Sequence, residues 1–231
     1  MRVTTNPKLI KRRGRLGMIA SLSGIAVLAL GMFASFRQQI AWVSLIALGI
    51  GFLLAQVGSY NLRRWGRSPR PDEVLEEGMK GFDDRYHLYA WTLPVPYVLL
   101  SPQGIYTLTA RDQTGQISVT GSTWKSKFTL GRVLSIFAQE GLGNPTVDAE
   151  GQAAKLGAWI KGKLPDLNIA VQPAIVFIDP RAQLVVDAPT VPVVDPKGIK
   201  KWLRGGGKGQ NLRSADLRAL EDLFNAHAAA H

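Results

Sequence analysis

Two long uncharged stretches near the N-terminus constrain the fold of this chain more than any other feature. Residues 16–36 (LGMIASLSGIAVLALGMFASF) and 40–60 (IAWVSLIALGIGFLLAQVGSY) each run for 21 residues without Asp, Glu, Lys, Arg or His. An α-helix needs about 20 apolar residues to cross the hydrocarbon core of a bilayer. Only three residues separate the stretches, so the sequence predicts a hairpin of two transmembrane helices over residues 16–60.

The net charge of +11 belongs to the flanks of this hairpin. Residues 1–70 contain 11 Lys/Arg and no Asp/Glu, whereas residues 71–231 contain 17 of each. Ten of the 11 basic residues lie outside the two apolar stretches at their outer ends, and Arg37 alone lies between them. Because basic residues stay on the cytoplasmic side, we expect two spans in the plasma membrane with both termini cytoplasmic. The bulk basicity therefore indicates topology and is not evidence for nucleic-acid binding.

Small residues recur at helical spacing in both apolar stretches. Such residues let helix backbones approach closely in a membrane, so we expect the two helices to pack against each other rather than to dimerise. The residues are Gly17, Gly24 and Gly31 in the first stretch and Ala47, Gly51, Ala55 and Ser59 in the second.

The remainder of the chain predicts one mixed α/β domain. Residues 1–15 form a basic cytoplasmic N-terminus, residues 61–71 a basic, Pro-containing linker, and residues 72–231 the domain. Its patterning predicts a first helix, a β-meander, further helices and then strands alternating with helices. The predicted helices are 72–81, 132–139, 149–163, 197–204 and 215–226 with Ser214 as N-cap, and the predicted strands are 86–93, 97–100, 105–109, 116–120, 174–178, 184–186 and 191–194.

Residues 94–117 (PVPYVLLSPQGIYTLTARDQTGQI) carry a more specific pattern. An apolar strand, the turn Ser101-Pro102-Gln103-Gly104, a second apolar strand and Gly115-Gln116-Ile117 follow in that order, and Asn144-Pro145 opens a later helix. This order resembles the nuclease-related domain (NERD) family, distant relatives of the PD-(D/E)xK nucleases. The resemblance implies a restriction-endonuclease-like α-β-meander-α-β core and a prokaryotic source.

The catalytic positions of that family are altered here. The family pattern has an acidic residue on the first strand and Glu-x-Lys on the second, which together hold Mg²⁺ through carboxylate oxygens. The corresponding residues are Pro96, Thr109 and Arg111. Proline offers no ligand, threonine is a poor substitute for a carboxylate, and arginine stays protonated and cannot act as a base. Glu73 is the one residual acidic candidate, so the sequence predicts no metal site and no cofactor.

Three functional hypotheses follow. The leading one is a catalytically inactive nuclease-related domain that binds or scaffolds at the cytoplasmic membrane face, with the lipid bilayer and either nucleic acid or a protein as partners. The second is an active nuclease with relocated ligands, which would need Mg²⁺. The third is a protein–protein assembly module, in keeping with the formal neutrality of residues 71–231. The candidate nucleic-acid contacts are Arg111, Lys200, Lys201 and Arg204.

Overall fold

The structure is a computed structural model that describes residues 1–126, 141–205, 207 and 209–230. The described chain divides into two units, a helical hairpin formed by residues 7–70 and an α/β unit formed by residues 1–6 and those from Pro71 onward. The predicted helix 132–139 lies outside the described residues.

The hairpin consists of two helices that are long and apolar enough to cross a membrane. Helix α1 spans Pro7–Ser35, and α2 spans Ala41–Asn61 and continues into one π-helical turn, Leu62–Gly66. Only 22% of the most apolar window in the first helix and 11% of that in the second are buried, so neither resembles the core helix of a soluble protein. These helices are compatible with the predicted pair of spans.

The interface between α1 and α2 is made of small residues. Gly17, Gly24 and Gly31 are buried, and a Cβ added to Gly31 would lie 2.5 Å from Cβ of Ala47. The prediction that small residues pack the hairpin against itself is confirmed. On α2 the buried face runs through Ala47, Gly51 and Gly58, not through Ser59. A helix has 3.6 residues per turn, so a strict spacing of four drifts off the face.

Aromatic and basic side chains join the two outer ends of the hairpin. Trp65 is buried, and the guanidinium carbon of Arg13 lies 5.6 Å from the centre of its ring. The Tyr60 ring meets Trp65 edge-on at 5.9 Å, and Arg64 lies over Tyr60 at 4.9 Å. The start of α1 and the end of α2 are therefore held together by ring contacts as well as by small-residue packing.

The α/β unit contains two sheets. Their strands are β1 Arg2–Thr5, β2 His87–Ala90, β3 Tyr97–Ser101, β4 Gly104–Arg111, β5 Gly115–Thr120, β6 Thr123–Ser126, β7 Val171–Phe177, β8 Ala182–Asp187 and β9 Val193–Val194. One sheet has six strands in the order β1-β2-β3-β4-β7-β9, and the other has three in the order β6-β5-β8. The pairs β2–β3 and β3–β4 are antiparallel, and β1–β2, β4–β7 and β7–β9 are parallel. The helices are α3 Pro71–Met79, α4 Pro145–Lys163, α5 Ile199–Arg204 and α6 Ser214–Ala229.

The first strand is a feature that the sequence analysis did not predict. Arg2–Thr5 lies parallel to β2, with Arg2 opposite His87 and Thr5 opposite Ala90. The hairpin is thus inserted, along the chain, between the first strand of the sheet and α3.

Two local predictions are wrong. The strand predicted at 116–120 does not extend the meander but lies in the second sheet, paired with β6 and β8. Strand β4 has no free edge for it, because β3 takes one edge and β7 takes the other. Ser214 is the first residue of α6 rather than its N-cap, which is Arg213 without a side-chain cap.

Helices cover both faces of the large sheet. On one face Leu75 and Met79 of α3, and Ile199 and Leu203 of α5, pack with Tyr106 and its neighbours. On the other face α4 and α6 pack with Ile105 and its neighbours. Successive residues of β4 point to opposite faces, so the odd-numbered residues of β4 lie on the α4 side.

Candidate functional site

The C-terminal half of β4 is the candidate site because it carries Thr109 and Arg111, which the sequence analysis compared with the nuclease-related pattern. Thr107, Thr109 and Arg111 lie on the same side of β4 as Ile105, which packs against α4. Thr107 and Thr109 are buried. The site is therefore the space between the end of β4 and the beginning of α4.

Arg111 forms an ion pair with Asp148 through its Nη2 atom. The Arg111 side chain is 11% exposed and that of Asp148 is 54% exposed, so the pair lies at the rim with its cation inside. Asp148 is in the first turn of α4, where the helix dipole favours a carboxylate. Asn144 caps that helix by accepting a hydrogen bond from the amide of Thr146 at 3.1 Å.

Several polar atoms beside this ion pair are buried without a hydrogen bond. Within the described part of the chain, the hydroxyls of Thr107 and Thr109 and Nε of Arg111 have no hydrogen-bond partner. The same holds for Oε1 of Gln152, one helical turn beyond Asp148 on α4. Buried polar atoms are paired in most proteins, so this row of side chains can form hydrogen bonds with a bound polar group.

The same row is poorly equipped to hold Mg²⁺. Asp148 contacts Arg111, and its charge is already balanced by the guanidinium. Over residues 1–126, 141–205, 207 and 209–230 there is no group of three or more His, Asp or Glu side chains that could hold a metal ion. A hard divalent cation prefers several carboxylate or carbonyl oxygens, which this arrangement of side chains does not provide.

Pro96 lies where strand β3 begins. The register of β3 with β4 runs from Ser101 opposite Gly104 to Val98 opposite Thr107. Pro96 and Thr109 therefore lie beyond the same end of this strand pair. The carbonyl of Pro96 accepts a hydrogen bond from the amide of Trp91 at 2.8 Å, which closes the connection between β2 and β3.

The other predicted site residues lie on elements of the opposite face. Glu73 is on α3, which packs with Tyr106 and not on the side of Thr109 and Arg111. Lys200, Lys201 and Arg204 are on α5, which covers that same face as α3. The structure thus divides the predicted nucleic-acid contacts into Arg111 on one face and a cationic helix on the other.

Helix α5 presents its cations outward because its apolar residues face the sheet. Ile199 and Leu203 are buried, whereas Lys201 and Arg204 are exposed and Lys200 is half-buried. The Arg204 guanidinium carbon lies 5.7 Å from the Phe82 ring. Trp202, the aromatic residue among these cations, packs edge-on against Tyr106 with 5.3 Å between ring centres, so part of it belongs to the core.

A second polar cluster surrounds His87. Its ring is stacked on Tyr89 at 4.0 Å between centres, and its Nδ1 atom lies 3.8 Å from Glu221, which is ion-paired with Arg2. Burial, with a smaller contribution from Arg2, lowers the pKa of His87 to about 4, although Glu221 acts in the opposite direction. Burial also raises the pKa of Tyr89 above its ordinary value.

The sequence analysis missed Asp148 and Gln152 at the candidate site. The spacing of Ala149, Ala153 and Leu156 indicates the buried face of α4, and both polar residues adjoin that face. The ion pair of Asp148 with Arg111 of β4 depends on a contact across 37 positions in the chain, for which no local pattern exists. No protein-family model, no curated protein and no solved structure matches this chain.

Proposed function

We propose that this protein is a membrane-anchored, catalytically inactive nuclease-related domain that acts as a binding or scaffolding module at the cytoplasmic membrane face. The observation that carries the proposal is the ion pair between Arg111 and Asp148 beside a buried Thr109. A nuclease of the resembled family would need a carboxylate at Thr109 and a lysine at Arg111.

The order of elements supports the nuclease-related part of the proposal. Helix α3, the antiparallel strands β2, β3 and β4, helix α4 and the parallel strand β7 occur in this order along the chain, with β5 and β6 of the second sheet between β4 and α4. This order of elements supports the α-β-meander-α-β core that the resemblance implies.

The chemistry of the site supports the proposal that the domain is catalytically inactive. Phosphodiester hydrolysis with Mg²⁺ needs a carboxylate cage and a group that activates water. Pro96 and Thr109 supply no carboxylate, and Arg111 cannot accept a proton. Its charge is bound to Asp148 rather than free for a phosphate.

The pairing of β1 with β2 supports an anchor with two spans. The chain enters the hairpin directly after Thr5 and leaves it before Pro71, and both flanking segments belong to the same α/β unit. This supports a hairpin with both ends on one side of the membrane and therefore an even number of crossings. The excess of Lys and Arg at these ends assigns that side to the cytoplasm.

A cleavage assay tests the inactive site. The full chain in lipid nanodiscs is incubated with Mg²⁺ or Mn²⁺ and single- or double-stranded DNA and RNA, and we expect no metal-dependent cutting. Glu73→Ala tests the residual acidic candidate, and Glu76→Ala, an exposed residue of the same helix, is its control. Metal-dependent cutting that is lost in Glu73→Ala and retained in Glu76→Ala would establish the active nuclease instead.

A binding assay tests the role of α5. We expect oligonucleotide affinity to fall between about 50 and 200 mM salt, because phosphate contacts release counterions. The variant Lys200→Gln/Lys201→Gln/Arg204→Gln should weaken binding, whereas Lys155→Gln/Lys161→Gln/Lys163→Gln, which removes three charges from α4, should not. An absence of salt-dependent binding in the unmodified chain favours the protein–protein assembly module.

A further inference from the structure

A groove of about 830 Å³ lies on the surface of the helical hairpin. Both helices contribute to it, and every lining residue belongs to the hairpin unit. Its lining residues are Lys8, Lys11, Arg12, Arg15, Leu16, Ile19, Ala20, Ser23, Leu54 and Val57.

One end of the groove is strongly cationic. Lys11 and Arg12 each lie three or four residues from both Lys8 and Arg15, so the four cations lie on one side of α1. All four are exposed, and like charges at this spacing repel one another. Residues 1–70 contain no Asp or Glu. Within the described residues none of the four makes an ion pair or a hydrogen bond, and an anion placed among them would relieve this repulsion.

Arg13, the other basic residue in this part of α1, does not line the groove. Arg13 lies over the Trp65 ring and so faces away from the groove. The four cations of the groove have no such aromatic partner within the described chain. Two of them, Arg12 and Arg15, can each bind a phosphate through two parallel N–H groups.

The other end of the groove is apolar. Leu16 and Ile19 of α1 are 41% and 58% exposed, and Val57 of α2 is 46% exposed. Leu54 completes this wall beside Ala20. Between Arg15 and Ser23 the helix rises about 12 Å, close to the roughly 15 Å of one hydrocarbon leaflet.

We propose that this groove binds one anionic glycerophospholipid, with the headgroup phosphate among the four cations and an acyl chain along Leu16, Ile19, Leu54 and Val57. The inference rests on the proposed membrane anchor. A free phosphate would make no use of the apolar wall, and a lipid without net charge would leave the positive charge of the groove uncompensated. A lipid with one net negative charge satisfies both ends of the groove.

The test measures lipid bound to the purified full chain in mild detergent by native mass spectrometry. Phosphatidylglycerol and phosphatidylcholine with the same acyl chains are titrated separately, and we expect phosphatidylglycerol to bind at least tenfold more tightly. Arg12→Gln/Arg15→Gln should lower its affinity at least tenfold, since each cation near an anionic lipid contributes roughly fivefold. The control Arg37→Gln/Arg67→Gln removes the same charge outside the groove and should change the affinity less than twofold.

A second variant tests the apolar wall without changing charge. Val57→Trp narrows this part of the groove and should weaken phosphatidylglycerol binding several-fold while the helical content, measured by circular dichroism, stays the same. An equal affinity for the two lipids, an equal loss in both double variants, an unchanged affinity in Val57→Trp, or displacement of the lipid by millimolar inorganic phosphate would each overturn the lipid site.

The failure of the anchor is distinguishable from the failure of the lipid site. Membranes that contain the chain are first washed with alkaline carbonate. Release of the chain into the wash contradicts the anchor, and the lipid site with it. A chain that stays in the membrane but shows no preference for phosphatidylglycerol contradicts the lipid site alone.

Discussion

The hydroxyl of Thr4 lies 2.7 Å from Nε2 of His87, a contact between residues 83 positions apart that joins the first strand to the second. On its other side the His87 ring faces Glu221 of α6, which pairs with Arg2. The four-residue strand β1 is thereby held by side chains as well as by its ladder with β2. The segment that leads into the hairpin is a part of the sheet and not a free tail.

Because this segment belongs to the same sheet as the strands after the hairpin, the proposed topology predicts which single cysteines can be labelled from outside the cell. The chain has no cysteine of its own, so Gln39→Cys in the hairpin loop and Asp187→Cys in the α/β unit can be compared directly. We expect a membrane-impermeant maleimide to label Gln39→Cys in intact cells and Asp187→Cys only after the membrane is permeabilised. The reverse pattern would contradict the proposed orientation, and labelling of both without permeabilisation would contradict the anchor.

The buried His87 predicts a pH-dependent stability. Its pKa is about 4 in the folded protein and about 6.5 in the unfolded chain. Between these values the unfolded chain binds a proton that the folded protein does not, so the free energy of unfolding falls as the pH drops from about 6.5 to about 4. We expect a loss of roughly 3 kcal/mol over this interval, measured by chemical denaturation at several pH values.

The control for this prediction is the same substitution at a second histidine. His87→Gln should remove the dependence between about pH 6.5 and 4.5, and His227→Gln on α6 should retain it. The carboxyls of Asp83 and Asp179 have pKa values lowered by Arg85 and Arg181, so their contribution is lost only at lower pH. An unchanged slope in His87→Gln would assign the effect to other groups.

The hairpin interface predicts that alanine substitutions at two glycines of the hairpin change the stability in opposite directions. An added Cβ at Gly31 would lie 2.5 Å from Cβ of Ala47, whereas one at Gly49 would have no atom of the described chain within 4 Å. Gly31→Ala should destabilise the hairpin by about 1–3 kcal/mol through overpacking. Gly49→Ala should stabilise it by up to about 1 kcal/mol, because alanine is the better helix former.

Thermal unfolding in detergent, followed by circular dichroism, compares these two variants. Because both introduce the same methyl group into a helix of the hairpin, they differ chiefly in their surroundings. Equal effects on the two melting temperatures would mean that α1 and α2 do not pack through Gly31 and Ala47.

The ion pair at the candidate site predicts that removing Asp148 alone lowers the stability more than removing both partners. Asp148→Asn leaves the largely buried cation of Arg111 without its partner and should lower the free energy of unfolding by about 1–3 kcal/mol. Arg111→Met/Asp148→Asn should recover part of this loss, because no buried charge remains. Glu150→Gln, an exposed residue of the same helix, should change stability by less than about 0.5 kcal/mol. A double-mutant cycle with no coupling would show that the pair is not formed in solution.

Much of the fold could be predicted from local patterns. The apolar stretches that predicted the hairpin coincide with two long helices, and the seven-residue spacing of Gly17, Gly24 and Gly31 marked the face that α2 covers. Apolar runs around Ser101-Pro102-Gln103-Gly104 likewise correspond to β3 and β4. These features depend on hydrophobicity and periodicity, which neighbouring residues alone express.

Strand pairing over long distances could not be predicted in the same way. The strand at Gly115–Thr120 has the pattern of a meander strand, yet it pairs with β8, more than 60 positions further along. Strand β1 is only four residues long, begins with Arg2 and precedes the basic residues that start at Lys8, so this part of the chain resembles a cytoplasmic tail. In both cases the neighbouring strand determines where the segment lies in the fold, because a strand is stable only when it is paired with another.

The sequence by itself determined the apolar stretches of the hairpin, the distribution of charge and the presence of Pro96 and Thr109, which carry no carboxylate. Tertiary structure alone decided that Asp148 neutralises Arg111, that α5 carries its cations on the opposite face of the sheet, and that four cations of α1 share a groove with an apolar wall. The reason is physical. Hydropathy and charge are properties of a segment, whereas an ion pair or a groove depends on which segments the folded chain brings together.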